Sequence, residues 1–337
     1  MNKKIMVIAV AAAIAAPMAA SADATVYGKV RQAIEGFDNG AADNIRIRDW
    51  NSRLGVKGSE DLGNGLKGIY KMEFAVNISG KGNNADSGGN EFAAGGVKDF
   101  FGARNAYVGL AGDWGTFVIG RHDTPLKIST GSLDYFADTA GDNNNAYTEN
   151  LADRRANGTI AYISPNMAGL TLAAALVPGE NNNADGIADA YSVAALYSNS
   201  GFFGSLAYEA GDKDIDALGG AGDLTQWRVG LGYNGGDWKV GGVYENMNLD
   251  NAAGGPDIID ADKWEVSGAY NFGNNTVKAK YFDVSDDRNS AGDHDGFAIG
   301  LDHNFSKRTQ VYAQYVDSSF DNAEDTTVWG IGLNHNF

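Results

Sequence analysis

Residues 329–337 read Trp-Gly-Ile-Gly-Leu-Asn-His-Asn-Phe, and their side chains alternate between two kinds. Trp329, Ile331, Leu333 and Phe337 share one parity with His335, whereas the other parity holds only glycine and asparagine. A period of two predicts a β-strand with one apolar and one polar face. In a soluble protein, a terminal strand of this kind would leave an exposed edge that is prone to aggregation. A closed barrel pairs that edge, so this stretch predicts a closed barrel.

The same alternation recurs along the chain from residue 23 onward. Val26 and Val30, for example, oppose Lys29 and Arg31. About sixteen segments of strand length alternate in this way, an even number that is typical of an outer-membrane barrel. We therefore expect the apolar parity to face lipid and the polar parity to face the lumen. Many aromatic residues fall near the strand ends, where such a barrel has its interfacial girdles.

The connections between these segments alternate in length. Short ones such as 112–115 and 234–237 alternate with longer ones such as 79–98, 122–153 and 285–295, which are rich in Gly, Asn and Asp. A transmembrane barrel built from hairpins requires short periplasmic turns on one rim and longer extracellular loops on the other. The sequence therefore predicts an all-β fold, a transmembrane antiparallel β-barrel of about sixteen strands.

The first 22 residues have the pattern of a secretory signal. Lys3 and Lys4 precede an apolar run over residues 5–16, and Ala20-Ser21-Ala22 supplies the small residues of a cleavage site. A membrane-spanning helix would need about 20 apolar residues, which this run does not reach. We expect residues 1–22 to be a signal peptide and residues 23–337 to form one β-barrel domain.

Composition excludes several kinds of function. The formal charge of −17 becomes −19 without residues 1–22, which contain Lys3 and Lys4 but no acidic residue. An acidic chain is a poor nucleic-acid binder. The chain has no cysteine, which excludes disulfides and thiolate metal sites. No set of residues indicates a metal, a cofactor or a catalytic centre, and none of the four histidines belongs to an HExxH motif. Two of them, His122 and His294, fall in expected loops.

Several stretches resemble the sixteen-stranded trimeric general porins of Gram-negative outer membranes, particularly the Neisseria-type branch. The most specific is Ser52 to Lys67, which resembles the second strand, first turn and third-strand start of that family. Further similar stretches are residues 104–110, 115–121, 124–127, 162–165, 168–170 and 306–309. The ending at Phe337 resembles the one that the barrel-assembly machinery reads. Val118, Ala161 and Asn334 stand where many relatives have a basic residue.

The resemblance implies that residues 122–153 form the third extracellular loop and fold into the lumen as a constriction. The acidic residues expected in that loop are Asp123, Asp134, Asp138, Asp142, Glu149 and Asp153. The basic residues expected on the facing wall are Lys29, Arg31, Arg53, Lys57, Lys67, Lys71, Arg104, Arg154 and Arg155. Opposed charges of this kind would orient polar solutes and disfavour apolar ones. The surplus of loop acids favours a weak preference for cations.

The resemblance implies a water-filled channel for passive diffusion of small hydrophilic solutes and ions, and no enzyme activity. Its expected partners are outer-membrane lipid and lipopolysaccharide, two further copies in a homotrimer, the barrel-assembly machinery and the solutes themselves. Two alternatives remain. One is an outer-membrane barrel enzyme or adhesin that acts through its extracellular loops. The other is a secreted soluble β-protein, which would remain soluble without detergent.

Overall fold

The protein forms a single closed ring of antiparallel strands in a computed structural model, which describes residues 23–79, 100–143, 153–179, 186–212, 221–287 and 293–337. The strands are β1 (Asp23–Asp38), β2 (Asp43–Asp49), β3 (Arg53–Gly63), β4 (Leu66–Val76), β5 (Phe101–Gly112), β6 (Gly115–Asp123), β7 (Arg155–Ile163), β8 (Leu170–Val177), β9 (Ala190–Asn199), β10 (Phe202–Gly211), β11 (Leu224–Asn234), β12 (Trp238–Leu249), β13 (Ile259–Phe272), β14 (Asn275–Asp286), β15 (His294–Asn304), β16 (Thr309–Phe320) and β17 (Thr326–Asn336). One short helix, α1 (Pro125–Ser129), follows β6. Among the described residues, no helix is long and apolar enough to span a membrane.

The seventeen segments make sixteen barrel strands, because β2 and β3 are two halves of one. Both pair with β1, but Gln32 lies opposite Asp49 while Lys29 lies opposite Arg53. The three residues 50–52 therefore face only two residues of β1, which is a β-bulge. Its middle residue, Asn51, has a positive φ of 60°. The sequence prediction of about sixteen strands is confirmed, although it missed β2 because the bulge interrupts the alternation.

The last strand closes the ring by pairing with the first. The register runs from Lys29 opposite Asn336 to Asp38 opposite Thr327. Beyond it, the backbone N–H of Gly28 donates to the carbonyl of Phe337 and the N–H of Phe337 donates to the carbonyl of Gly28, each at 3.0 Å. The terminal strand therefore has no free edge, as its alternation predicted.

The alternation also predicts the two faces correctly. Ile34 and Ile331 point outward, with 58% and 59% of their surface exposed, whereas Arg31 points inward and is 5% exposed. The connections 39–42, 64–65, 113–114 and 273–274 are short. All but the first of these lie on one end of the barrel, here called the turn rim, and the opposite end is called the loop rim. Several strands extend further towards the loop rim than the sequence predicted, so that His294 belongs to β15 and not to a loop.

Cross-strand pairs of glycine and an aromatic residue recur in the sheet. Gly36 lies opposite Trp329, and a Cβ atom added to Gly36 would lie 2.2 Å from the indole Nε1. Gly332 has the same relation to Tyr312, where the distance to the ring would also be 2.2 Å. Aromatic rings that cover a neighbouring glycine add contact area without crowding the sheet. These pairs help to fix the register, because a slip by one residue would turn each ring to the other face.

The closing pair offers a direct test of this register. A Cβ atom at Gly28 would lie 2.3 Å from Cζ of Phe337 and 2.8 Å from the carbonyl oxygen of Arg53. We expect Gly28→Val to destabilise the barrel by about 1–3 kcal/mol, the usual range for overpacking. Thermal unfolding of the protein refolded in detergent, followed by its heat-modifiable electrophoretic mobility, measures this loss. Gly68→Val is the matched control, since a Cβ there meets only Leu62, at 3.7 Å. Equal midpoints for the two variants would contradict the close contact at Gly28.

Candidate constriction site

The segment between β6 and β7, residues 124–154, enters the barrel and is called the inner loop; residues 144–152 lie outside the described part of the chain. Thr124 begins the turn inward as the N-cap of α1, where its side chain accepts a hydrogen bond from the backbone N–H of Lys127. Pro125 occupies the first turn of the helix, a position that needs no N–H donor. Thr124 and Pro125 therefore favour an abrupt change of chain direction at the end of β6.

Three apolar side chains of the inner loop fit against small residues of the barrel wall. Leu126 is fully buried against Ala194 and Ala207. Phe136, also fully buried, packs with Ala298 in a cluster that includes the following residues of the wall: Ala33, Trp50, Tyr312, Val316 and Val328. Since apolar burial is favourable and needs space, the small residues determine where the loop can lie.

The third apolar side chain, Leu133, lies in a hollow formed by glycines. Gly232 on β11 and Gly241 on β12 are directly opposite one another, and Gly230 lies two residues away. A Cβ atom at Gly230, Gly232 or Gly241 would come within 2.9, 2.5 or 2.9 Å of a Leu133 methyl carbon. The absence of side chains at these three positions is therefore what admits the loop.

Charged side chains hold the tip of the inner loop to the strands around the closing seam. Asp138 accepts hydrogen bonds from Lys29 Nζ at 2.5 Å and Arg53 NH2 at 2.8 Å. Arg31 NH1 donates to the carbonyl of Ala137 at 3.0 Å. Asp138 has a left-handed φ of 59°, which aspartate tolerates better than most residues. One predicted loop acid and three predicted wall bases thus meet in a single contact.

The ionisation of Asp138 reflects these partners. Burial raises the pKa of its carboxyl group, but the nearby Arg53 and Lys29 outweigh burial, and the resulting pKa lies well below the ordinary value. A depressed pKa means that the carboxylate contributes stability above the unfolded pKa and loses it only as the pH falls through the folded pKa. The contact therefore persists into acidic solution.

Four strands further round the ring, Lys280 of β14 holds the same loop. Its ammonium group donates to the carbonyl of Gly141 at 2.8 Å and to the side chain of Asn143, and lies 3.4 Å from Asp134. Glu265 on β13 is 3.7 Å away. Sequence analysis did not single out Lys280, although its inward parity on β14 was a signal that could have identified it.

Arg228 of β11 joins both ends of the inner loop. It donates to the carbonyl of Leu126 at 3.3 Å and to Oγ1 of Thr130 at 3.1 Å near the start, and pairs with Asp153 at 2.8 Å near the end. Glu245 on β12 also pairs with Arg228, with 2.8 Å between NH2 and Oε2, and so contributes a second negative charge beside the guanidinium group. Arg228 was also missed by sequence analysis, because no local motif links it to residues about 75 to 100 positions away.

The wall of β4–β7 faces the loop with a second charged network. Glu73 accepts from Arg104 Nε and from the Tyr27 hydroxyl, both at 2.7 Å. Asp123 pairs with Arg155 at 2.9 Å. Strict alternation from Ala106 would turn Arg104 towards lipid, but a bulge between Ala103 and Ala106 brings it inside.

The structure corrects the predicted boundary of the loop at Asp123. His122 and Asp123 were expected in the loop, but both belong to β6, where an irregularity after Gly120 lets Asp123 pair with Arg155. Asp123 is therefore a wall residue. The remaining predicted loop acids within the described residues, Asp134, Asp138, Asp142 and Asp153, do lie in the inner loop. Glu149 lies outside the described residues.

The predicted wall bases fall into three groups. Lys29, Arg31 and Arg53 contact the loop tip, and Arg104 and Arg155 face it. Arg154 is a loop residue near Glu209 of β10 and does not belong to the wall. Lys57, Lys67 and Lys71 lie on the inner wall nearer the turn rim.

Between the inner loop and this wall lies a polar cavity of about 200 Å³. Its charged lining consists of Arg104, Asp123, Arg155, Lys127, Asp134, Asp138, Asp142 and Asp153. Within the described ranges, no three His, Cys, Asp or Glu side chains are placed to hold a metal ion. The arrangement is a passage bounded by ionised groups of both signs.

The sequence pattern that describes Gram-negative porins matches residues 9–336 of this chain. The chain belongs to the Gram-negative porin family. This porin is similar to the major outer membrane protein P.IB of Neisseria meningitidis, with 28% identity over 365 residues and complete coverage of both chains. It also resembles the same protein of Neisseria gonorrhoeae, with 26% identity and 92% of each chain covered.

Solved structures show the same fold. An anion-selective porin from Comamonas acidovorans superposes with a TM-score of 0.78 at 22% identity, covering 94% of this chain and all of that one. OmpT of Vibrio cholerae in its trimer form gives a TM-score of 0.65 at 17% identity, with 94% and 100% covered. The predicted family, barrel fold and outer-membrane location are confirmed. The porin is a channel for passive diffusion, and its relatives are channels and not enzymes.

The glycine hollow predicts how the loop can be displaced. We expect Gly232→Val to push Leu133 off the wall and move the inner loop, which should lower single-channel conductance and increase current noise. Leu133→Ala in the same chain removes the clashing methyl groups and should restore part of the conductance. Conductance of the two single variants and the double variant gives the coupling between the two positions. Additive effects would show that Leu133 does not occupy this hollow.

Proposed function

We propose that the inner loop forms the narrowest part of the channel and sorts solutes by size and polarity. The observation that carries this proposal is the attachment of one loop at successive points around the lumen, through Arg228 to β11, through Lys280 to β14 and through Asp138 to β1 and β3. A segment held along this arc projects into the lumen and leaves open only the side formed by β4–β7. Its open side faces Arg104 and Arg155, so solutes pass between fixed charges.

Fixed charges on both sides of a narrow passage favour small hydrophilic solutes. A polar solute that loses part of its hydration can regain interactions with the ionised groups, whereas an apolar solute gains nothing in return. The enzyme or adhesin alternative has no comparable support, since the described residues show no convergent catalytic group. Passive sieving is therefore the function that the lumen supports best.

We propose a weak preference for cations. Each wall base at the loop tip is matched by a carboxylate or a carbonyl oxygen, so the bases there contribute little free positive charge. The described loop segments at the loop rim carry many more acidic than basic residues. The Comamonas relative is described as anion-selective, and the balance at the constriction is what would distinguish the two channels.

Neutralising Asp138 tests the preference and the site together. We expect Asp138→Asn to shift the reversal potential in a KCl gradient towards anions, because Lys29 and Arg53 then lack their shared carboxylate. Asp134→Asn should shift it less, since Asp134 has a single basic partner in Lys280. Asp237→Asn, in a turn far from the loop, is the control. An unchanged reversal potential in Asp138→Asn would remove this residue from the constriction.

We also propose that three copies associate through the face formed by β1–β3. Strands β9–β17 each present one outward aromatic residue towards the loop rim: Tyr191, Tyr208, Trp227, Tyr244, Trp264, Tyr281, Phe297, Tyr315 and Trp329. The outward positions of β1 and β2 carry Val26, Val30, Ile34, Ile45 and Ile47 instead. Aromatic girdles mark a lipid interface, and their interruption is expected where protein replaces lipid. The trimer form of the Vibrio relative supports the proposed number of copies. If three copies insert together, each insertion into a planar bilayer in about 1 M KCl should add three equal conductance steps, one for each lumen.

We propose that residues 1–22 direct export and are removed, that the loop rim faces the cell exterior among lipopolysaccharide, and that the turn rim faces the periplasm. The outer face would then contact membrane lipid around β9–β17. Phe337 would lie at the periplasmic interface, where the barrel-assembly machinery could read it.

Deleting Phe337 separates its two roles. If the residue is an assembly signal, the deletion should reduce the amount of barrel in the outer membrane far more than Gly28→Val does, even when both variants refold equally well in detergent. Quantitative blotting of outer-membrane fractions, beside refolding yields, gives this comparison. Equal losses of the two variants in cells would mean that Phe337 acts only through its contact with Gly28.

A further inference from the structure

Three lysines line the inner wall of β3 and β4 between the constriction and the turn rim: Lys57, Lys67 and Lys71, here called the lysine cluster. Lys57 is directly opposite Lys71 in the antiparallel register. Lys57 lies four residues beyond Arg53 along β3, or about 13 Å at the usual rise of a strand. The cluster is therefore separate from the contact between Arg53 and Asp138.

The positive charge of this cluster is only partly neutralised. Lys71 lies 3.3 Å from Glu73, which also accepts from Arg104. Asp61 is directly opposite Lys67 in the register, but within the described residues no carboxylate forms an ion pair with Lys57 or Lys67, and both side chains are exposed. Directly opposed like charges destabilise a strand pair. The ammonium groups of Lys57 and Lys71 lie 5.2 and 5.9 Å from the Tyr27 ring, a cation–π arrangement that partly offsets their repulsion.

The opposite end of the lumen has the opposite charge. Outside the inner loop, the described connections at the loop rim contain Asp189, Asp212, Asp223, Asp250, Asp257, Asp287, Asp293, Asp321, Glu324 and Asp325. The same described connections contain no lysine or arginine. The described turns at the other rim are balanced, with Asp113 and Asp237 against Lys307 and Arg308. Along the channel axis, an acidic mouth is thus followed by the constriction and then by the lysine cluster.

We propose that this axial order of charges makes the porin a rectifying channel, with the lysine cluster acting as a reservoir of small anions such as chloride and phosphate. When the loop-rim side is positive, cations from the acidic mouth and anions from the lysine cluster both move towards the constriction and fill it with carriers. The reverse voltage draws both kinds of ion away from the constriction. Current is therefore larger with the loop-rim side positive.

Salt concentration is a built-in control for this mechanism. In about 0.1 M salt the Debye length is about 10 Å, so wall charges govern the ions of a narrow lumen. In about 1 M salt it is about 3 Å, and most of the lumen is screened. Rectification should therefore be strong in dilute KCl and nearly vanish in concentrated KCl. A mechanical gate that responds to voltage would not follow this dependence.

The test measures current at equal positive and negative voltages in planar bilayers. Because the chain has no native cysteine, Ala323→Cys in the β16–β17 loop can be biotinylated uniquely, and the side from which streptavidin binds identifies the loop rim. We expect a current ratio of about 1.5 or more in about 0.1 M KCl, falling towards unity in about 1 M KCl. The triple variant Lys57→Gln, Lys67→Gln, Lys71→Gln should lose much of the ratio, and the corresponding triple Arg variant should keep it.

The outcomes separate this inference from the proposed function on which it rests. A protein that fails to conduct in about 1 M KCl would overturn the channel itself. A conducting protein with equal currents at both polarities in dilute KCl, or with the larger current at the opposite polarity, would overturn only the rectification. A triple Gln variant that folds, conducts and keeps the full ratio would show that the lysine cluster is not its source.

Discussion

The structure depends on one constraint: a sheet that meets lipid can leave no backbone hydrogen-bonding edge unpaired. The pairing of Gly28 with Phe337 meets it by joining the first described strand to the last. Closure then determines which face of every strand points outward. The register of each strand pair sets the side on which the neighbouring side chains lie. The bulge at residues 50–52 shows how strongly closure is favoured, since the second strand tolerates a left-handed residue in order to remain paired along the whole of β1.

Closure alone would leave a wide open lumen, and the inner loop narrows it by two different means. Leu126, Leu133 and Phe136 provide burial, and the wall receives them with glycine and alanine. Apolar contacts of this kind are tolerant of small shifts, whereas a hydrogen-bonded ion pair requires a particular geometry. Asp138, Lys280 and Arg228 therefore fix the position of a loop that the apolar contacts hold in place.

The alternation of apolar and polar residues predicts the features that repeat along each strand. It does not predict contacts between residues that lie far apart in the chain. The strands, their faces and their closure follow from alternation, which is local. Strict alternation would turn Arg104 outward, but a bulge brings it to the wall, and irregular pairing keeps His122 and Asp123 in β6, where the sequence predicted a loop. No local motif links Arg228 or Lys280 to the inner loop, since their partners there lie more than 70 residues away. Their inward parity was still a usable signal, because it indicates that both basic side chains face the lumen.

Buried ion pairs in this lumen make sense as positional restraints more than as sources of stability. Bringing Arg228 and Glu245 out of water costs several kcal/mol per ion before their attraction is counted, so apolar residues of similar size could stabilise the barrel as well. Apolar residues could not, however, hold both ends of the inner loop at one point and also leave ionised groups beside the passage. A channel for hydrophilic solutes needs that polar surface in any case. The charges that position the loop and the charges that solutes meet therefore belong to one network.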